Sequence, residues 1–124
     1  VAYDSNNIFA KIIRKEIPAD VVYEDKHILA FRDITPAAPT HVLVIPKGDY
    51  SSFDDFAQTS SADEVAYFFL KVQEVANSLG VDKTGYRLIT NHGSDASQSV
   101  PHFHVHILAG RPLGGLVPGD ASVR

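Results

Sequence analysis

The chain has 124 residues, 44% hydrophobic and 21% charged, with a formal net charge of −4. That is enough for one compact domain with its own core, and the acidic balance leaves no electrostatic footprint for duplex nucleic acid or an anionic membrane. It contains no cysteine, which excludes disulfides, thiolate zinc sites and a cysteine nucleophile.

No apolar run approaches the roughly 20 residues of a membrane span, and no secretory apolar segment opens the chain. The expectation is a soluble, cytoplasmic, single-domain protein over residues 1–124.

In chain order, Asp4 or Ser5 is placed to cap a short helix reaching about Lys15, with Ile8, Phe9, Ile12 and Ile13 as its apolar stripe. Pro18 ends it. Val21-Val22-Tyr23 reads as a first strand and Glu24-Asp25-Lys26 as a turn. His27 to Asp33 reads as a second strand, in which Ile28, Ala30 and Arg32 alternate with Leu29, Phe31 and Asp33. The two can pair as a tight antiparallel hairpin. Thr35-Pro36-Ala37-Ala38-Pro39 is a stiff connector. His41 to Ile45 is a third strand, nearly all apolar, which places it centrally in a sheet.

Ser61-Ala62-Asp63-Glu64 is a capping box that opens the main helix. Val65, Phe68, Phe69, Val72, Ala76 and Leu79 follow at helical spacing, and Gly80 is the expected stop. Tyr86 to Thr90 is a fourth strand, and Asn91 to Ser99 a polar loop. A fifth strand follows, and then an irregular tail rich in Gly and Pro from Gly110 to Arg124. Without βαβ alternation or a Gly-rich fingerprint, a doubly wound dinucleotide-binding fold is disfavoured, and the class is α+β.

The fifth strand carries the chemistry. In Pro101-His102-Phe103-His104-Val105-His106-Ile107-Leu108-Ala109 every second residue from 102 to 106 is histidine. Alternate strand residues share a face. Phe103, Val105 and Ile107 therefore share the buried face, and the three imidazoles the other, with Leu108. A single strand histidine is more often structural than catalytic. Three in register would repel if all were charged, so at least one stays neutral near pH 7. A neutral imidazole serves as a metal ligand or as a nucleophile or base. The pattern alone leaves those two alternatives even.

His102-Phe103-His104-Val105-His106-Ile107-Leu108 resembles the signature of the histidine triad (HIT) family. The likeness to its Hint branch extends from Ile8 to about Leu113. It includes Ile8-Phe9-Ala10-Lys11-Ile12-Ile13, Phe31-Arg32-Asp33-Ile34-Thr35-Pro36, Ala38-Pro39-Thr40-His41, Val44-Ile45-Pro46-Lys47, Gly85-Tyr86-Arg87 and Gln98-Ser99-Val100. Gly110-Arg111-Pro112-Leu113-Gly114 resembles bacterial members. The resemblance implies the HIT fold, a five-stranded antiparallel sheet with one long and one short helix. It also implies a homodimer with a continuous ten-stranded sheet.

It further implies a role for each matching residue. His104 is the nucleophile, attacking the α-phosphorus of a nucleoside 5′-monophosphate derivative to form a nucleotidyl-histidine that water then releases. His106 donates to a phosphate oxygen. His102 and His41 orient the triad and pass protons. Ser99 hydrogen-bonds a leaving nitrogen, which favours a phosphoramidate over a pyrophosphate link. Asn91, Ser97 and Gln98 belong to the phosphate side, and Asp33 with Ile34 to the ribose. Phe9, Ile8, Ile17 and Phe31 form the apolar slot for a purine.

Several positions depart from the pattern. Many relatives carry a Cys-x-x-Cys that can hold zinc with two histidines. Asn7 and Ala10 stand in those places, so no metal and no cofactor is expected, which moves the triad from ligand to nucleophile. Two common glycines are Ala96 and Ser97 here. If the backbone needs positive φ there, a cost of about 1 kcal/mol or an altered loop follows. Pro101 replaces a usual aromatic. His27 and His92 read as surface residues.

The resulting expectation is a metal-independent purine nucleoside phosphoramidase acting on AMP or GMP derivatives, with aminoacyl-adenylates as a further substrate class. The alternatives are a dinucleoside polyphosphate hydrolase of the same family and a nucleotide-binding interaction protein with incidental hydrolysis.

Overall fold

The computed structural model describes residues 2–117. Five strands form one antiparallel sheet: β1 (Val21–Glu24), β2 (Ile28–Arg32), β3 (Thr40–Pro46), β4 (Arg87–Ile89) and β5 (Val105–Ala109), in spatial order β1-β2-β3-β5-β4. β3 takes the centre because both of its faces are apolar. Val42, Val44 and Ile45 are fully buried, and Leu43 nearly so.

The pairing register sorts the side chains into two layers. On one face Ile28, Ala30, Val42, Val44, Val105 and Ile107 meet Phe68, Val72, Val75 and Ala76 of helix α3 (Ala62–Ser78). On the other, Leu29, Phe31, Leu43 and Ile45 meet Phe9 and Ile12 of helix α1 (Ile8–Ile13). α1 is too short to cover that face. His41 lies opposite Leu108 and Leu43 opposite His106, so both histidines lie on the α1 side of the sheet.

The capping box of α3 is present, with Ser61 and Glu64 each bonding the other's backbone. Gly80 follows the cap residue at φ 76° and stops the helix. At the end of β5, Gly110 adopts φ 104°, and a Cβ there would stand 2.7 Å from Pro39 Cβ. Only glycine lets the chain leave the sheet so close to the proline connector.

Three sequence expectations are corrected. The cap of α1 is Asn7, not Asp4 or Ser5, and the helix stops at Ile13 rather than Lys15. Asp4 instead accepts from Asn6 N–H within a turn, while Asn7 Oδ1 takes the Ala10 N–H at 2.9 Å. A further helix, α2 (Phe53–Thr59), was not anticipated. It is short, but Ser52 caps it, Asp54 and Asp55 occupy its first turn, and Phe56 stacks on Phe103 at 4.8 Å between centroids.

The third correction concerns the triad itself. β5 begins only at Val105, so His102 and His104 precede the ladder and His106 alone lies within it. The backbone reason is local. His102 N–H bonds Val100 O at 2.8 Å, and Phe103 N–H bonds Tyr50 O at 2.8 Å. These bonds bend the chain at Pro101 and His102 and keep residues 101–104 out of the ladder. Alternation survives: Phe103, Val105 and Ile107 lie in the core. Residues 110–117 form no helix or strand, as expected; the rest of the predicted tail, 118–124, lies outside the described residues.

Candidate active site

The site is built around His104, which is 94% buried (6% exposed). Its Nδ1 lies 2.6 Å from the carbonyl oxygen of His102. A carbonyl can only accept, so Nδ1 carries the proton and donates, and Nε2 keeps its lone pair. The tautomer is thereby fixed by the main chain. Phe9 stands edge-on to the ring at 4.9 Å, and Thr90 Oγ1 donates to the His104 carbonyl at 2.8 Å.

The tautomers of His41 and His106 are fixed in the same way. Ala37 N–H donates to His41 Nδ1 at 3.0 Å, so the proton of neutral His41 sits on Nε2. That nitrogen is 2.9 Å from His106 Nδ1 and donates to it. The proton of neutral His106 is therefore on Nε2. A lone pair on His104 and an N–H on His106 are thus set on rings 5.1 Å apart.

Burial favours the neutral form of each ring. It lowers the pKa of His41 against the opposing charge of Asp33. His102 and His104 are lowered for the same reason, each opposed by the hydrogen bond to a backbone carbonyl. His106 is pushed down to about 4 by burial and by the charges of His104 and His41. All four rings are neutral at pH 7, as nucleophilic use of His104 requires.

A cleft of about 820 Å³ opens at this point. His104, His106 and Ser99 line it, as do Asp33, Ile34, Ile8, Phe9, Ile17 and Phe31. These are nine of the residues expected from sequence. The other five expected residues do not form its wall. His41 stands behind His106. His102 is wholly buried behind His104, its Nε2–H bonded to Pro46 O at 2.8 Å. The Gln98 side chain is occupied in tying the loop: its Oε1 accepts from Gly93 N–H, and its Nε2 donates to Ser51 O and Val100 O. Ser97 and Asn91 lie outside the lining as well.

Sequence reading missed other wall residues, among them Arg32 and Asp20, which pair at 3.7 Å on the rim. Nothing in their local pattern signalled it. They reach the cleft because β2 and the segment before β1 run side by side, with Arg32 N–H bonded to Asp20 O. His27 and His92 are exposed, as expected.

A family model, the HIT domain, matches residues 14–113, a span that contains all three triad histidines. The chain belongs to the HIT family. It is 52% identical over 115 residues to a HIT-like protein of Rickettsia prowazekii, covering 93% of this chain and 96% of that one. It is 42% identical over 110 residues to the purine nucleoside phosphoramidase of Escherichia coli K12, covering 89% and 92% of the two chains. Its fold matches a HIT family hydrolase from Clostridium thermocellum with a TM-score of 0.83 and 40% identity, over 92% of this chain and 98% of that one. These likenesses make the protein a HIT-family nucleotide hydrolase.

The HIT-family loop before the triad shows how the chain manages without its usual glycines. Ser97 adopts φ 60° and ψ 37°, the left-handed region, whereas Ala96 does not adopt positive φ. A left-handed backbone is thus present at one of the two positions, carried by a serine at a steric cost.

Among the described residues two sets of side chains could be suspected of holding a metal, and neither fits. At the family's Cys-x-x-Cys places, Ala10 offers no donor and Asn7 Oδ1 is engaged by the helix N–H. Asp33, His41 and His106 do bring three ligand atoms within 4.8 Å of one another. To ligate a metal through Nε2, however, His41 would have to move its proton to Nδ1, against the Ala37 N–H that already points there.

Proposed function

We propose that this HIT-family protein hydrolyses purine nucleoside 5′-phosphoramidates through a covalent nucleotidyl-His104 intermediate. The observation that carries the reading is the fixed tautomer of His104. Its Nδ1–H is committed to the His102 carbonyl, so a free lone pair faces the cleft from a neutral ring.

The rest of the cleft is arranged to match. Ile8, Phe9, Ile17 and Phe31 provide an apolar side of the cleft for the purine. Asp33 Oδ1 accepts from Thr35 N–H at 2.8 Å, and Oδ2, 3.5 Å from His41 Nε2, is the oxygen offered to the ribose hydroxyls. The α-phosphate then sits between His104 and His106. In the first displacement, His104 Nε2 bonds to phosphorus and the P–N bond breaks. The leaving nitrogen takes a proton from solvent, with Ser99 as its hydrogen-bond partner, and the proton that water gives up in the second displacement returns to solvent. His106 Nε2–H donates to a non-bridging oxygen as charge develops. In the second, water attacks the nucleotidyl-histidine, which releases the nucleoside monophosphate and restores neutral His104.

The homodimer implied by the resemblance is part of this proposal. β4 is an edge strand of the sheet, and Leu88 on it and Leu70 on α3 are exposed apolar residues. Both are positioned to be covered by a second copy.

A turnover comparison tests the reading. An AMP amide is expected to be cleaved faster than diadenosine tetraphosphate, with no loss of rate in EDTA. His104→Ala should lower the rate at least ~10³-fold. Faster cleavage of the polyphosphate would replace the phosphoramidase reading with the polyphosphate one, and nucleotide binding without turnover would favour an interaction protein.

A further inference from the structure

The ring of His102 is 0% exposed, and it bonds at both ends. Its Nε2–H donates to Pro46 O at 2.8 Å, so its Nδ1 must accept. The donor is the hydroxyl of Tyr3 at 2.6 Å. The Tyr3 oxygen in turn accepts from Asn7 Nδ2–H at 2.8 Å. The second Nδ2–H goes to Asp4 O at 2.7 Å and Asn7 Oδ1 holds the Ala10 N–H at 2.9 Å. Every polar atom of the Asn7 side chain is therefore used, and the line Asn7 to Tyr3 to His102 to Pro46 has a single proton direction. The titratable groups facing His102 are Tyr3, His104 and, through its charge, Asp49.

We propose that Tyr3 and Asn7 are positioning residues for the His104 nucleophile. Their hydrogen-bonded line holds His102 neutral and fixes its carbonyl where that oxygen captures His104 Nδ1–H. The inference rests on the reading of His104 as nucleophile. It also ties the slot to the chemistry, because Asn7 caps the helix that carries Ile8 and Phe9.

The direction of the line makes it testable. An Asn7→Asp side chain keeps an oxygen for the Ala10 N–H but has no proton to give. The Tyr3 O–H then turns to the carboxylate and presents a lone pair to His102 Nδ1, which takes up a proton from solvent to meet it. A buried imidazolium beside the nucleophile follows. Tyr3→Phe removes the donor outright, and Asn7→Ser keeps the cap while losing the donation to Tyr3.

Each variant is to be followed by phosphoramidate kinetics from about pH 5 to pH 9 and by ¹⁵N–¹H spectra of the histidine rings. For Tyr3→Phe, kcat is expected to fall about 10-fold with KM within about 2-fold. For Asn7→Asp, the acid limb of kcat should move up by about one pH unit, and His102 Nδ1 should become protonated in the spectra. Asn7→Ser should fall between the parent and Tyr3→Phe.

Parental kcat and an unmoved acid limb in folded Tyr3→Phe and Asn7→Asp would overturn the proposal, as would a protonated His102 Nδ1 in the parent. If the parent does not cleave the P–N bond, the proposed function fails by itself. The ring spectra of His102 and His104 then still decide whether the line holds the two rings.

Discussion

His41 and His106 lie 65 residues apart in sequence and stand nitrogen to nitrogen at 2.9 Å. They are diagonal neighbours on one face of β3 and β5, since His41 pairs with Leu108 and His106 with Leu43. Because Ala37 N–H occupies the far nitrogen of His41, the contact transmits a proton direction and makes His106 a donor toward the cleft. Removing that constraint has a defined consequence. His41→Ala is expected to lower kcat by about 10- to 100-fold, the usual scale for a misdirected donor, with little change in nucleotide affinity. His41→Gln, which can still donate, should recover part of the loss. Steady-state kinetics with calorimetric AMP binding checks this, and a loss confined to binding would remove the tautomer argument.

Ser99 lines the cleft beside His104 and His106. Ser99→Ala is expected to slow P–N cleavage by about 10-fold while leaving AMP affinity nearly unchanged, because the proposed mechanism pairs it with the departing nitrogen rather than with the nucleotide. Equal losses in turnover and in affinity would reduce Ser99 to a contact for bound nucleotide.

Ser97 holds a left-handed backbone, φ 60°, that glycine adopts without steric cost. Ser97→Gly should stabilise the folded protein by up to about 1 kcal/mol, partly offset by the greater freedom of glycine in the unfolded chain. Since Ser97 lies outside the cleft wall, activity should be unaltered. Denaturant melts and kinetics measured together decide the point.

The buried imidazoles make stability depend on pH. His41, His102, His104 and His106 all have pKa values below 6.5 in the folded state, that of His106 about 4. Below the unfolded value of about 6.5, the unfolded chain binds more protons than the native one. Their contribution is therefore complete above about pH 6.5 and is lost as pH falls toward 4. The Tm should be flat from neutral pH upward and fall steadily below 6.5, less steeply in His106→Gln. A Tm that held constant down to pH 4 would contradict neutral burial.

Much of this molecule was legible in the linear chain. The apolar run of β3, the Ser61–Glu64 box, the stop at Gly80 and the alternation of Phe103, Val105 and Ile107 are local patterns. Local patterns are what strand and helix periodicities encode. The triad spacing likewise announced chemistry, and wide agreement with the HIT family supplied its kind. Other features could not be read in this way. The helix around Phe56 and the late start of β5 at Val105 depend on the Phe103 ring and on Tyr50 O, which lie elsewhere in the chain. The cap at Asn7 is local, its Oδ1 taking the Ala10 N–H, but Asp4, Ser5 and Asn7 are all cap-forming residues and the sequence does not choose among them. Which nitrogen of each histidine carries its proton was beyond the sequence altogether. Residue type supplies an imidazole, but the tautomer is set by whichever carbonyl or N–H the fold brings to its other side, here His102 O for His104 and Ala37 N–H for His41.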